Sequence, residues 1–393
     1  MDKDMLLMMK DKIVMSINFD LGKYEVVNER LLPFTLQGIL RPPLEEKDTY
    51  SKYELTQIRI RDNKNKDAII GWLANRVLPL SRDNAKKVYN LLRLEQRQDD
   101  YSKAKIAILC RAVSLQDNYW VKIENDKTTW DDVNLRTNKL NDVVAQVSLH
   151  GSSLSLTGSL TTPELTGQGA YAKAWKRENG ELWLYKKGAK DATESRIEVM
   201  VSNILDKCNV PHIHYELGES TGGVEGTVTC CKCKCMTTEK LSILPAMDYN
   251  SYCIRHGLDF YEECKRIDAD MFYKMCIVDY LIANRDRHGM NWGFYFNCDE
   301  NEILHMHPLF DHNNAFDKDY MADENARYLV FDDMTLKEAA IEAMKHVDFH
   351  FTEEITRDDF ITDRQFKFFV KRAKQLGIKL IEPVSTKVVE SFK

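Results

Sequence analysis

The chain has 393 residues, 44% of them hydrophobic and 30% charged, with a formal net charge of −6. This length suggests two or three domains, and the composition can fill ordinary cores. No apolar run reaches the roughly 18 residues of a transmembrane helix, so no membrane span is expected.

The start, Met1 to Lys10, is a short apolar patch flanked by charge. It lacks the long apolar core and small-residue cleavage site of a signal peptide, and a cytoplasmic location is expected. Residues 13–33 read as a short hairpin or mixed segment, and Arg41-Pro42-Pro43 as a turn or linker. From Ser51 to Arg111 there are 14 Lys or Arg and 7 Asp or Glu, a net of +7 in a chain whose total is −6. Such a stretch could meet nucleic acid or an acidic protein; a solvated helical face is the reading preferred here, and direct nucleic-acid binding is not expected. Ser81 is a plausible N-cap for a helix over about 82–95, and a second helix is expected over 102–113. Residues 117–150 alternate polar and apolar groups around Trp120 and Trp130.

The composition changes at residues 150–159, rich in Gly and Ser. Gly167, Gln168 and Gly169 then precede an apparent strand. Glycines let backbone N–H groups approach phosphate oxygens, although a lone Gly-x-Gly is more often a turn. Glu181 to Lys186 reads as a second strand, ending in a lysine. Glu194 to Leu205 reads as a helix with Ile197, Met200 or Val201, and Ile204 facing inward. Val228 to Met236 reads as a further strand, and strand periodicity puts Cys231, Cys233 and Cys235 on one face. A strand of reduced thiols is preferred over zinc, because the second cysteine pair of a zinc site is missing. A disulfide framework is not expected.

The sharpest pattern lies further on. Met271, Met275, Val278 and Ile282 share one helical face, and the helix should end near Ala283. It delivers a loop containing Asp286, Arg287, His288 and Asn291. Residues 292–296 and 303–307 read as a hairpin, and Asp311 follows an apolar pair. Phosphoryl transfer of the kinase type uses these groups in this order: a carboxylate that orients the attacking hydroxyl, an Asn that holds a metal ion, and an Asp that holds the metals on the nucleotide phosphates. The interval of five from Asp286 to Asn291 is that of the kinase catalytic loop. Any one of these residues is more often a surface carboxylate or turn residue; three in order are far more specific. His288 could touch a phosphate or orient Asp286, or could simply satisfy backbone carbonyls.

The stretch Asp279 to Asn291, with Leu309 to Phe316, resembles the catalytic segment of HipA-like serine/threonine kinases, several of which are toxins of toxin–antitoxin pairs. It is more distantly similar to the phosphoinositide 3- and 4-kinases. The resemblance covers roughly residues 147–393. It implies an α+β, two-lobed protein-kinase-like fold: a mainly β small lobe over 147–238 and a helical lobe over 239–393, preceded by a mixed α/β module over 1–146. It implies ATP and Mg²⁺ as cofactors, with Asp286 catalytic and Asn291 and Asp311 on the metal. Gly167, Gln168 and Gly169 would cover the phosphates. Lys186 would contact them, positioned by Glu198, with Glu194 as the alternate. Lys234 and Met236 would lie where a hinge offers backbone groups to adenine, and His288 would lie near the phosphates. A protein substrate with a Ser or Thr acceptor and an antitoxin-like partner are implied, with no membrane.

Two departures stand out. Where such toxins carry an autophosphorylated serine, this chain has Glu164, with Thr161, Thr162 and Thr166 as the nearest hydroxyls. No family is recognisable in residues 1–146. Two other functions compete. A phosphoinositide-type lipid kinase would use the same three groups, but residues 317–324 are acidic on balance and would repel an anionic headgroup. A catalytically inactive kinase-fold binding module would require lost metal ligands.

Overall fold

A computed structural model of the chain describes residues 5–18, 23–40, 49–155, 161–166, 169–189, 191–222 and 226–380. The fold over these residues is α+β, with three antiparallel sheets and eleven α-helices. The chain forms two compact units. One holds residues 1–195, 216–267 and 289–307; the other holds 196–215, 268–288 and 308–393.

In the first unit, β1 (Met5–Met9), β2 (Lys12–Asn18) and β3 (Lys23–Val26) join β4 (Tyr119–Ile123) in a sheet of order β3-β2-β1-β4. The apolar start of the chain is thus a central strand, with Met5, Leu7, Met8 and Met9 all buried. Hydrophobic side chains on both faces are what a strand covered on both sides requires. Next come α1 (Lys52–Ala74), α2 (Ala85–Leu91) and α3 (Asp100–Leu109). The latter two fall at the helices expected near 82–95 and 102–113. The long α1 opens on a capping box, in which Ser51 accepts from the Glu54 N–H and Glu54 accepts from the Ser51 N–H. Then follow α4 (Trp130–Val133) and α5 (Asp142–His150).

A second sheet of the same unit has the order β5-β6-β8-β7. It is built from β5 (Lys173–Glu178), β6 (Glu181–Lys186), β7 (Glu216–Gly222) and β8 (Gly226–Lys234). Between β6 and β7 the chain runs through α6 (Thr193–Asp206), which passes into the second unit after Ser195. Two buried clusters join this sheet to the residues before 147. Leu182, with Trp175 and Cys235 beside it, packs into a core with Met8, Trp120, Trp130 and Leu140. On the other cluster, Ala145 and Leu149 of α5 pack on Ala174, Tyr185 and Cys230. The Ser148 hydroxyl donates to the Lys173 carbonyl at 2.6 Å. The unit closes with β9 (Leu241–Pro245), α7 (Ala246–His256), the first half of α8 (Phe260–Leu281), and β10 (Gly293–Asn297) and β11 (Glu302–Met306), whose sheet has the order β11-β10-β9.

In the second unit α8 restarts after a break at Asp268, whose backbone is non-helical and whose carboxylate accepts from the Met271 N–H at 3.1 Å. Met271, Met275, Val278 and Ile282 are all buried, as their spacing predicts. Three further helices follow: α9 (Lys318–Ala322), α10 (Leu336–Ala343) and α11 (Asp363–Gln375). An aromatic cluster of Phe316, Phe351, Phe360, Phe366 and Phe369 packs beneath α11 by edge and tilted contacts.

The ten cysteines are free thiols, eight of them buried. Burial pushes the Cys110 thiol up to about 12 and Cys230 up to about 11. Among the described residues, no helix is long and apolar enough to cross a membrane.

Candidate active site

The second unit carries both Asp286 and Asp311. The chain leaves α8 through Ala283, in the left-handed region at φ 48°. Asn284 then folds the loop: its carbonyl oxygen accepts from the Asp286 N–H at 3.1 Å, and its amide donates to Asp279 at 2.9 Å. Arg287 turns inward instead of outward. Its guanidinium donates to both oxygens of Asp279, each at 2.9 Å, and both side chains are 0% exposed. The Tyr328 hydroxyl donates to the same carboxylate at 2.7 Å. A further guanidinium N–H reaches the Phe310 carbonyl at 2.9 Å. Burial alone lowers the pKa of the guanidinium, but Asp279 more than offsets this and holds Arg287 above its ordinary value. One buried cation thus ties the end of α8, the Asp286 loop and the residue before Asp311 into one network.

Asp286 is oriented by Asn314, whose amide donates to its Oδ2 at 2.9 Å. His288 lies 3.8 Å from the other oxygen of Asp286, too far for a hydrogen bond, and is 44% exposed.

Asp311 is delivered by a short strand-like pairing. The Ile213 N–H donates to the Leu309 carbonyl at 2.8 Å, and the Leu309 N–H to Pro211 at 3.0 Å. Asp311 itself is left-handed, at φ 61°. That conformation is costly for most residues but least so for Asp and Asn, whose short polar side chains bond locally. Asn313 donates to its carboxylate at 3.2 Å. The next backbone N–H, of His312, donates to Glu198 at 3.0 Å, and Glu198 is fully buried. Glu198 is therefore coupled to the Asp311 turn through the main chain.

The first unit holds the remaining candidates. Lys186 ends β6, is buried, and pairs in register with Lys173 and Cys231. Its carbonyl accepts from the Ser195 hydroxyl at 3.3 Å. Glu194, the alternate partner for the lysine, accepts from the Ala189 N–H at 2.7 Å and from the Tyr171 hydroxyl at 3.1 Å. Gly167 and Gln168 lie outside the described residues. Gly169 is left-handed at φ 97°, and a Cβ there would meet the Lys173 ammonium at 2.6 Å. Its carbonyl accepts from Arg82 at 3.1 Å, and the Asp83 N–H donates to Ala170 at 2.8 Å.

Glu164 is no surface acid. It is 2% exposed, accepts from the Trp175 N–H at 3.0 Å and from the Thr162 hydroxyl, and burial raises its pKa. It braces the turn before β5.

Lys234 pairs with Glu181 at 2.7 Å, and the Met236 carbonyl accepts from the Tyr295 hydroxyl at 2.8 Å, which leaves that oxygen one lone pair. The loop of Asn291 is clamped on both sides. The Met247 N–H donates to Gly289 and the Ala246 N–H to Trp292, each at 2.9 Å. A Cβ at Gly289 would meet the Met247 nitrogen at 2.9 Å, so only glycine allows this approach.

Each unit holds one candidate metal donor, the Asn291 amide oxygen in the first and the Asp311 carboxylate in the second, and each is a hard oxygen ligand. That is the chemistry Mg²⁺ takes, in preference to softer ions. Asp279, Arg287, Asn314 and Tyr328 received no role from the sequence. One signal was present: Asp279 is a lone acid inside an apolar helical run, eight residues before an arginine.

No protein-family sequence model matches the chain, and no curated protein sequence matches it. Among solved structures, the chain is similar to a Helicobacter pylori proinflammatory kinase, CtkA, at 16% identity and a TM-score of 0.35, over 53% of this chain and 90% of that one. It is also similar to a chain in the Shewanella oneidensis MR-1 toxin–antitoxin complex of HipA, HipB and operator DNA, at 11% identity and a TM-score of 0.48, over 95% of this chain and 98% of that one.

Proposed function

We propose that the chain is an ATP- and Mg²⁺-dependent protein kinase of the HipA-like type, acting in the cytoplasm on a Ser or Thr hydroxyl. The observation that carries this reading is the buried Arg287. By binding Asp279 and the Phe310 carbonyl together it fixes the loop of Asp286 relative to the turn of Asp311. A surface pair of acids would need no such support, whereas phosphoryl transfer depends on positioning. Bound MgATP would supply the transferable phosphoryl group. Asp286, held by Asn314, orients the acceptor hydroxyl and takes its proton. Asp311 and Asn291 offer oxygens to the cation. Lys186 contacts the phosphates, Glu198 positions it, and the segment of Gly169 covers them. The stretch Lys234–Met236 offers backbone groups to adenine.

The test uses radiolabelled ATP with the pure protein, with cell extract and with phosphoinositide vesicles. Label is expected on protein Ser or Thr, and Asp286→Asn should lower transfer by roughly 10²–10⁴-fold while sparing nucleotide binding. Near-normal transfer by Asp286→Asn would remove the catalytic assignment. Label only on lipid would replace the substrate class, and no label anywhere would leave a binding module.

A further inference from the structure

Among the described residues, one group of side chains has the makings of a transition-metal site, and it uses none of the carboxylates discussed above. Asp206 is the last residue of α6; His212 and His214 follow in the loop after it. One ligand atom from each lies within 4.8 Å of the others. His212 Nε2 is 3.1 Å from one Asp206 oxygen and His214 Nδ1 is 3.0 Å from the other. Ligand arms of 2.0–2.1 Å at tetrahedral angles put neighbouring donors about 3.3 Å apart, close to each of these two His–Asp distances, which fall on different oxygens of the one carboxylate.

The ring of His212 adds a second argument. Its Nδ1 is 3.0 Å from the Val210 carbonyl, which can only accept. Nδ1 therefore carries a proton. In the neutral ring, Nε2 then presents a lone pair to the Asp206 carboxylate, acceptor against acceptor. A cation between them removes the conflict. A metal-binding histidine usually donates its other ring N–H to a backbone carbonyl or carboxylate, as His212 Nδ1 is placed to do to Val210.

The scaffold is stiff where the site needs it. The His212 side chain is only 9% exposed, while Asp206 and His214 remain open to solvent at 45% and 60%. The loop is stitched to its own unit on both sides of His212: by Asn209 donating to the Asp348 carbonyl at 2.8 Å, and by Ile213 donating to Leu309 at 2.8 Å.

We infer that Asp206, His212 and His214 bind a divalent first-row transition ion of the zinc class. Two imidazoles and one carboxylate suit such an ion and not Mg²⁺ or Ca²⁺. Three protein ligands leave a coordination position for water. The ion would join the end of α6 to the segment that pairs with Leu309, two residues before Asp311. Its first effect is therefore on the stability of this unit, whether or not the chain is a kinase.

The test uses the full chain, stripped with chelator and held in excess Mg²⁺ so that hard-cation sites are filled. Titration with Co²⁺ should give visible d–d absorption for one ion per chain, without thiolate charge transfer, displaced by Zn²⁺. Zn²⁺ should also raise the melting temperature. The exposed-side variant His214→Gln, which removes no buried contact, should weaken Co²⁺ binding by at least the ~10–100-fold that loss of an outer-shell partner costs. The double variant His212→Gln/His214→Gln should abolish it. Unchanged Co²⁺ affinity in His214→Gln, or a spectrum dominated by thiolate charge transfer, would overturn the site. So would absence of binding to the wild type.

Discussion

Arg287 and Asp279 form a doubly hydrogen-bonded ion pair with no exposure to solvent on either side chain. Breaking such a pair from one side leaves a buried charge unpaired. Arg287→Met should therefore lower stability by about 3–5 kcal/mol, and Arg287→Met with Asp279→Leu should recover part of that loss. Urea denaturation of the single and double variants measures this. Additive losses would mean that the two residues act separately.

Asp311 and Glu198 are joined through one peptide N–H, that of His312. Asp311→Asn keeps the side-chain shape and tolerates the left-handed backbone, but removes the charge. We expect nucleotide binding by the wild type to be strong only with Mg²⁺, and this Mg²⁺ dependence to be lost in Asp311→Asn. Calorimetric titration with and without Mg²⁺ decides it; equal dependence in both proteins would take the metal off Asp311.

The boundary at residue 146 passes through two buried clusters. A chain starting at residue 147 would expose Leu182, Ala174 and Tyr185 to water. At about 25 cal/mol per Å² of apolar surface, such exposure costs several kcal/mol, a large share of the stability margin of an ordinary domain. We expect that fragment to be insoluble or to bind hydrophobic dye strongly. A soluble, cooperatively melting fragment from limited proteolysis near residue 150 would show instead that residues 1–146 are a separable module.

Asp248, in the first turn of α7, has its carboxyl pushed up to about 6 by burial, against a smaller opposing pull from Arg255. A raised carboxyl contributes stability below its unfolded value, near 4, and loses it as pH rises through about 6. At pH 7.5 the ionised group is thus a cost, and Asp248→Asn should stabilise the protein by on the order of 1 kcal/mol. At pH 4 the variant and wild type should match. Denaturation at the two pH values checks the sign, and a variant equally or less stable at pH 7.5 would contradict it.

The sequence made some of this legible and concealed the rest for identifiable reasons. Helix α6, the end of α8 and the β10–β11 hairpin could be read because their apolar spacing matches the period of the element. The order Asp286, Asn291, Asp311 stands out because the proposed chemistry would fix residue type and interval. Arg287 could not, because a charged residue in a loop reads as solvated unless its partner, Asp279, is known to be buried. Strand β7, Glu216–Gly222, has little apolar alternation; its pairing with β8 defines it. Helix α1 mixes polar and apolar residues almost evenly around its circumference, and only the Ser51–Glu54 capping pair marks its start. The packing of Ala145 on Ala174 and of Leu140 on Leu182 was hidden because it joins residues far apart in the sequence.

The buried thiols make the protein its own reporter of opening. An alkylating reagent attacks the thiolate, and burial both hides these sulfurs and holds Cys110 and Cys230 protonated at neutral pH. Because Cys230 sits in the β8 cluster while Cys276 sits in α8, peptide-resolved labelling would time the release of the first unit separately from that of the second. No dye, tag or engineered residue is needed to ask which unit lets go first.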